Sequence, residues 1–284
     1  MNSPLISAQG LLKIQDQPDL VLVDARYSAS PRQTFEKGHL KRAKFIDPDK
    51  ELADIKADLA LGGRHPLPKA EDFCKVLGDL GINPTSHVVI YDDQKGANAS
   101  ARMWWMMRAL SHEKVQVLEG GMQAAVKAGF PISTQPIHRI NGTPYPGNEW
   151  KLMTATMEEV QAKAWEKDHL IIDVRSEERY RGEFEPIDLV AGHIPGAVNV
   201  PLTENMDSDG NFLSPEELRE KYLPILEEIP NEQIIVHCGS GVSACHTLLA
   251  LEHAGLGIPK LYVGSWSEWS RNDKPIGKTL NLDQ

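Results

Sequence analysis

Cysteine is scarce in this chain. Three in 284 residues cannot build a disulfide framework, and the natural setting for them is a reducing compartment, the cytoplasm. Long apolar runs are also missing. None approaches the roughly 20 residues that cross a bilayer, so no membrane association is expected. The opening "MNSPLISAQGLL" has neither a basic region nor a long apolar core, and no signal peptide is expected. Positive charge is short: 30 Lys and Arg stand against 40 Asp and Glu, a formal net charge of -10. Nucleic acid and anionic membrane surfaces need basic patches, so neither is expected as a partner. A small anion, if one binds, must be held by local groups. No Cys/His spacing matches a zinc site and no glycine-rich phosphate fingerprint occurs, so no metal or organic cofactor is implied.

What is present is an ordinary globular composition, 41% hydrophobic and 25% charged, written twice. "LVLVDARYSA" resembles "LIIDVRSEER", "EKGHLKRAKFI" resembles "VAGHIPGAVNV", "HVVIYDDQKGANASARMWW" resembles "QIIVHCGSGVSACHTLLAL", and "VQVLEGGMQAAVKAGFP" resembles "PKLYVGSWSEWSRNDKP". The four pairs keep their order, at offsets of 144 to 154 residues. This reads as one fold used twice. Between the copies, Thr134 to Trp150 is rich in Pro, Gly and Asn and reads as a linker. The expected boundaries are 1–136, a linker at 137–151, and 152–284.

Within each copy, short apolar runs alternate with helical patterns. The runs are Val21–Val23, Val88–Tyr91, Ile171–Val174 and Ile234–His237. That pattern predicts an α/β fold, a mostly parallel sheet flanked by helices on both faces. Ser214, Pro215 and Glu217 predict a helix start with a capping box. In such sheets ligands gather where strand C-termini meet helix N-termini. Cys238 and Asp92 both fall at such a place.

The stretch "IIVHCGSGVSACHT" puts Cys238 at the foot of a glycine-rich turn that opens a helix. Gly239 and Gly241 let the backbone curl so that several N–H groups face one point, an anion nest. Ser240 and Ser243 add hydroxyls, and Val242 completes the turn. A cysteine at that focus is expected to be held as the thiolate, a nucleophile. Cys74, at helical spacing in "AEDFCKVLGDL", and Cys245, inside the following helix, read as buried structural cysteines. A cysteine phosphatase shares the layout but needs an arginine where this chain has Ala244. Sulfur transfer through a persulfide fits the six-residue loop from Cys238 to Ser243.

These motifs, with "RMWWMMR" and "GSWSEW", resemble those of the tandem-domain sulfurtransferases of the rhodanese family, over nearly the whole chain. The resemblance implies two rhodanese-like domains, the first having lost its cysteine, with Asp92 in its place. The loop "CGSGV" is similar to the 3-mercaptopyruvate branch, whereas the thiosulfate branch carries basic residues after the cysteine. The resemblance further implies a proton relay of Asp49, His65 and Ser240, to serve a pyruvate enolate leaving group. Without it, Asp49 and His65 read as solvated loop residues. It also implies two arginines on the donor's carboxylate. Arg179 matches the first, but Ile187 stands at the second, which leaves the donor open between 3-mercaptopyruvate and thiosulfate. The loop itself offers only N–H and O–H groups, which suits a monoanion. The expected partners are a small anionic sulfur donor and an acceptor, either a thiol such as a thioredoxin-like protein or cyanide. A thiosulfate-specific enzyme and a non-catalytic binding module on the same scaffold are the alternatives. Asp173 and Arg175 read as braces of a sheet end. His39 and His193 recur in both copies and read as structural, as does Arg102 with Trp104 and Trp105. Trp266 and Trp269 read either as site wall or as aromatic packing.

Overall fold

Each copy of the repeat folds into its own five-stranded parallel sheet, and the two sheets have one topology. A computed structural model describes residues 3–278. The chain divides into two compact units. The first comprises residues up to 54, 67–152 and 208–211. The second comprises 55–66, 153–207 and 212 onward. One segment of the N-terminal half, residues 55–66, therefore packs as part of the second unit rather than with its own sequence repeat.

In the first unit the strands are β1 (Leu5–Ile6), β2 (Leu20–Asp24), β3 (His39–Leu40), β4 (Lys44–Phe45), β5 (His87–Tyr91), β6 (Val115–Leu118) and β7 (Ile132–Ser133). The helices are α1 (Ala8–Ile14), α2 (Pro31–Lys37), α3 (Pro48–Glu51), α4 (Ala70–Asp79), α5 (Ala99–Ala109) and α6 (Gly121–Lys127). The sheet order is β1-β6-β5-β2-β4, while β3 and β7 form a small antiparallel pair. The second unit has β8 (Thr154–Ala155), β9 (Leu170–Asp173), β10 (Val198–Asn199), β11 (Ile234–His237) and β12 (Lys260–Tyr262), with α7 (Met157–Lys163), α8 (Glu177–Arg181), α9 (Pro215–Leu226), α10 (Ala244–His253) and α11 (Ser265–Trp269). Its order, β8-β12-β11-β9-β10, repeats the first strand for strand. The stretch 134–153 holds neither helix nor strand, but Tyr145 is buried and its N–H donates to the Cys74 carbonyl, 2.9 Å away.

The expected apolar runs are the interior strands. Val88–Tyr91 and Ile234–Val236 are wholly buried, as parallel strands covered on both faces must be. Each is followed by a helix that is apolar on nearly every side. Ala99 to Met107 and Ala244 to Leu251 are all buried, each large aliphatic side chain contributing about 1.5–3 kcal/mol by leaving water. These two helices are thus fixed tightly behind the strand ends at Tyr91 and His237.

The sheet ends are braced identically. Arg26 forks onto Asp24 and donates to the Gly38 carbonyl, and Arg175 forks onto Asp173 and donates to the Gly192 carbonyl. His39 stacks on Phe35 and bonds its carbonyl, and His193 stacks on Tyr180 and bonds its carbonyl, both pairs with ring centroids 3.9 Å apart. Arg102, Trp104 and Trp105 are buried in α5. The arginine forks and the stacked histidines recur in both copies, which marks them as structural. Ser214 and Glu217 form the expected capping box at α9, with Pro215 in the first turn. Ser214→Ala should lower stability by about 1 kcal/mol, read as a lower urea midpoint at unchanged slope.

Candidate active site

The central strand β11 ends at His237, and α10 begins at Ala244. The six residues between them form the loop predicted to carry the chemistry. Gly241 has φ +74, and a side chain there would collide with the Val263 carbonyl, so only glycine makes this turn. The N–H groups of Trp266 and Ser267 donate to the carbonyls of Cys238 (3.0 Å) and Gly239 (2.8 Å). Because a trans peptide is planar, with N–H and C=O opposed, the amides of Gly239 and Ser240 must point away from α11. Cys238, Gly239, Ser240 and Gly241 are buried; Val242 and Ser243 are partly exposed. Ser243 stands at the N-cap of α10 without a side-chain capping bond.

The first unit carries a turn at the same place in its sheet, one residue longer, from Asp92 to Asn98. Asp92, one residue past β5, occupies the position equivalent to Cys238 and is fully buried. Its carboxylate receives the N–H groups of Gln94 and Gly96, both at 2.9 Å, and the N–H and hydroxyl of Ser100, at 3.3 and 2.6 Å. Burial raises its carboxyl above the ordinary range and these donors oppose that shift. A turn of this type therefore gathers backbone donors around one acidic group.

Beside the Cys238 loop runs the 55–66 segment, tied to α11. Gly62 N–H donates to Glu268 (2.9 Å), Arg64 N–H to the Ser267 hydroxyl (3.0 Å), and the Asn272 side chain to the Ala60 carbonyl (2.9 Å). Gly63 has φ +79 and presses its α-carbon against the Gly264 carbonyl, leaving no room for a Cβ. So anchored, the segment delivers His65, whose Nδ1 lies 2.8 Å from the Ser240 hydroxyl. The structure thus brings Cys238, Ser240 and His65 together. Asp49 lies in the first unit, on α3. Burial raises its carboxyl, and a hydrogen bond with Tyr27 opposes the shift.

Arg179 is also at the loop. Its Nη2 and Nη1 would be 3.4 and 3.6 Å from a Cβ built on Gly239. It forks onto Glu185, at 2.8 to 3.1 Å, and approaches Asp188 at 3.5 Å. Burial disfavours the charged form of Glu185, but the bond from Arg179 and the N–H groups of Asp188 and Ile187 outweigh it and hold the carboxyl below its ordinary 4.5. Arg181 pairs with Glu177 on the outer side of α8. The segment is a helical turn, and two residues along a helix face about 200° apart, so Arg181 points away from Arg179. Ile187 is exposed.

Sequence reasoning missed Arg64. Its guanidinium would be 3.0 Å from the same Gly239 Cβ and pairs with the buried Asp188 at 3.1 Å. The loop's own residues are neutral, as read from the sequence, but a second guanidinium, that of Arg64, stands beside it with Arg179. The signal was present in "GGRHPLP", where two glycines allow close approach beside a basic residue, but Asp188 is 124 residues away. Among the remaining expectations, Trp266 and Trp269 are packing residues, both buried with their indole N–H groups on the carbonyls of Val190 and Pro275. Cys74 donates to the Gly147 carbonyl and Cys245 to that of Gly241. Ala244 is buried at the first helical position, so no phosphate-clamping arginine stands there. Burial lowers the pKa of His237, and Asp173 opposes that shift.

Because Glu185 is depressed in the folded state, its contribution is present above the ordinary value and lost as pH falls through the folded one. As pH falls below the ordinary 4.5, the urea midpoint of Glu185→Gln should fall less than that of the wild type. Parallel curves would remove Glu185 from the acid limb.

Rhodanese-like domains match residues 7–128 and 156–272. A probable 3-mercaptopyruvate sulfurtransferase of Pseudomonas aeruginosa is 36% identical, over 94% of this chain and 95% of that protein. A thiosulfate sulfurtransferase of Rattus norvegicus is 34% identical, over 91% and 87%. The crystal structure of SseA from Escherichia coli, described for the rhodanese fold and mechanism of 3-mercaptopyruvate sulfotransferases, superposes with a TM-score of 0.76 at 30% identity, over 94% of this chain and all of that one. The duplicated sheet, the loop at the end of its central strand and these likenesses agree: the chain belongs to the rhodanese family and is a sulfurtransferase.

Proposed function

We propose that the chain takes a sulfur atom from 3-mercaptopyruvate onto Cys238 and passes it to a thiol acceptor. The observation that carries this reading is the 2.8 Å contact between His65 Nδ1 and the Ser240 hydroxyl, one residue from the nucleophile's neighbour. A pyruvate enolate is a strong base and needs a proton as it leaves; sulfite, the leaving group from thiosulfate, does not. An imidazole acting through a hydroxyl supplies that proton.

The steps balance. The Cys238 thiolate attacks the donor's sulfur, the carbon–sulfur bond breaks, and its electron pair passes into the enolate. The sulfur arrives as a Cys238 persulfide, and the enolate takes a proton from the His65–Ser240 pair to become pyruvate. An acceptor thiolate then attacks the outer sulfur and releases the Cys238 thiolate. A thioredoxin-like dithiol suits this role, and cyanide would leave as thiocyanate. The loop amides stabilise the negative sulfur at each stage, as their counterparts hold Asp92 in the first unit. The three free cysteines, all buried, suit the cytoplasm.

One observation favours thiosulfate as a second donor. The guanidiniums of Arg64 and Arg179 beside Gly239 bring the positive charge that a dianion needs, which the loop residues themselves lack.

Incubation with donor should add about 32 Da, one sulfur atom, to the intact protein and nothing to Cys238→Ser. No gain with either donor would make the chain a binding module. His65→Ala should slow mercaptopyruvate turnover about 100-fold or more and thiosulfate turnover far less; equal slowing would remove the relay. A generic aryl phosphate should not be turned over.

A further inference from the structure

We propose that Glu268 is a positioning residue for proton delivery: its carboxylate latches the 55–66 segment to the end of β12, and the latch holds His65 against Ser240. The inference rests on the sulfur-transfer reading above and adds a residue that acts through another rather than on the donor.

The latch is built within the second unit. Glu268, on α11, divides its two carboxylate oxygens. Oε1 accepts the Gly62 N–H at 2.9 Å, and Oε2 accepts the Tyr262 hydroxyl at 2.8 Å. Tyr262 is the last residue of β12 and is buried. Burial first, and then the Glu268 carboxylate, raise its phenol far above the ordinary range, so it remains the donor. The carboxylate is thus pinned to the sheet on one side and to the segment on the other. A side chain at Gly264 would collide with that carboxylate, so the glycine before α11 makes room for it. Gly62 is followed directly by Gly63, Arg64 and His65, and Gly63 is packed on the Gly264 carbonyl. With so little chain between them, a shift at Gly62 carries to the imidazole, whose Nδ1 lies 2.8 Å from the Ser240 hydroxyl. A proton donor must sit within hydrogen-bond reach, and a misplacement of about 1 Å costs on the order of 100-fold in rate.

The silent copy lacks the latch. Leu118 pairs with Ile6 at the sheet edge as Tyr262 pairs with Ala155. Leu118 is therefore the counterpart of Tyr262, Gly120 that of Gly264, and Ala124 that of Glu268. The glycine recurs; the hydroxyl and the carboxylate do not. Ala128 likewise stands in place of Asn272, whose side chain ties the segment through the Ala60 carbonyl. The first unit also receives a piece of chain from the other half beside this turn, residues 208–211, with the Asn211 side chain facing Gly120. There Lys95 donates to the Asp209 carbonyl, and Ala124 has no oxygen to offer. The arginine forks and stacked histidines, present in both copies, hold the fold. Glu268 and Tyr262 are confined to the copy with the nucleophile, where the held segment carries an imidazole.

The test reads the segment apart from turnover. Hydrogen exchange of the full chain, followed by mass spectrometry, should quicken about tenfold or more in peptides covering 55–66 in Glu268→Ala, while β9 and β11 hold their protection. Glu268→Gln, which keeps an oxygen for Gly62, should restore most of the loss. The kcat for mercaptopyruvate should fall about tenfold or more in Glu268→Ala, KM should change by a smaller factor, and sulfur uptake from thiosulfate should change far less. In a His65→Ala background the same substitution should alter kcat less than about twofold. A merely structural role would slow both backgrounds alike; that outcome, unchanged exchange in 55–66, or an equal rise in β9 and β11 would each overturn the proposal. Should Glu268→Ala fail to fold, Glu268→Asp, too short to reach both partners, decides by the same readouts. If the wild type takes no sulfur from mercaptopyruvate while Glu268→Ala still frees the segment, the latch stands and the donor reading falls. Normal sulfur uptake with unchanged exchange gives the reverse.

Discussion

A turn that curls its backbone amides around one negative group is the constraint from which the rest of this molecule follows. It needs a strand that stops at a fixed point, a helix locked behind it and glycine where the chain doubles back. The two units meet these needs in the same way, through a wholly buried central strand and a helix that is apolar around most of its circumference. They differ in what sits at the focus. A carboxylate at Asp92 satisfies the donors permanently and leaves nothing to react. At Cys238 the same place past the central strand holds a thiol instead.

Around that focus the protein assembles positive charge against its overall acidity. It does so by sharing: each buried carboxylate beside the loop serves more than one arginine. Burial alone would drive such carboxyls toward the neutral form, yet Glu185 is held below its ordinary value because Arg179 and two backbone amides outweigh the loss of water. The acidic residues are what allow guanidiniums to be stationed, pre-oriented, at a site where unpaired ones would repel each other.

The fold was readable because its signals are local. β-branched runs at Val88–Tyr91 and Ile234–His237, the capping box at Ser214, and the paired Gly-His turns each declare themselves within a few residues. The nucleophile was readable for the same reason, since strand, cysteine, glycine turn and helix are contiguous. The surroundings of the loop were not. Arg64 meets Asp188 across 124 residues and His65 meets Ser240 across 175, and no periodicity encodes such meetings. Judged by its chain neighbours, the loop looked uncharged; judged by its spatial neighbours, it lies between two guanidiniums. The helical turn at Glu177–Arg181 was hidden as well, being too short to show a period.

Residues 55–66 belong by sequence to the half without a nucleophile, but by packing to the half that has one. The two repeats are therefore not separable along their boundary in the gene. A fragment beginning after the Pro- and Gly-rich connector would keep its sulfur, its turn and most of its sheet, while forfeiting an imidazole and a guanidinium that no part of its own stretch replaces. The silent copy cannot therefore be deleted without removing part of what surrounds the reactive loop.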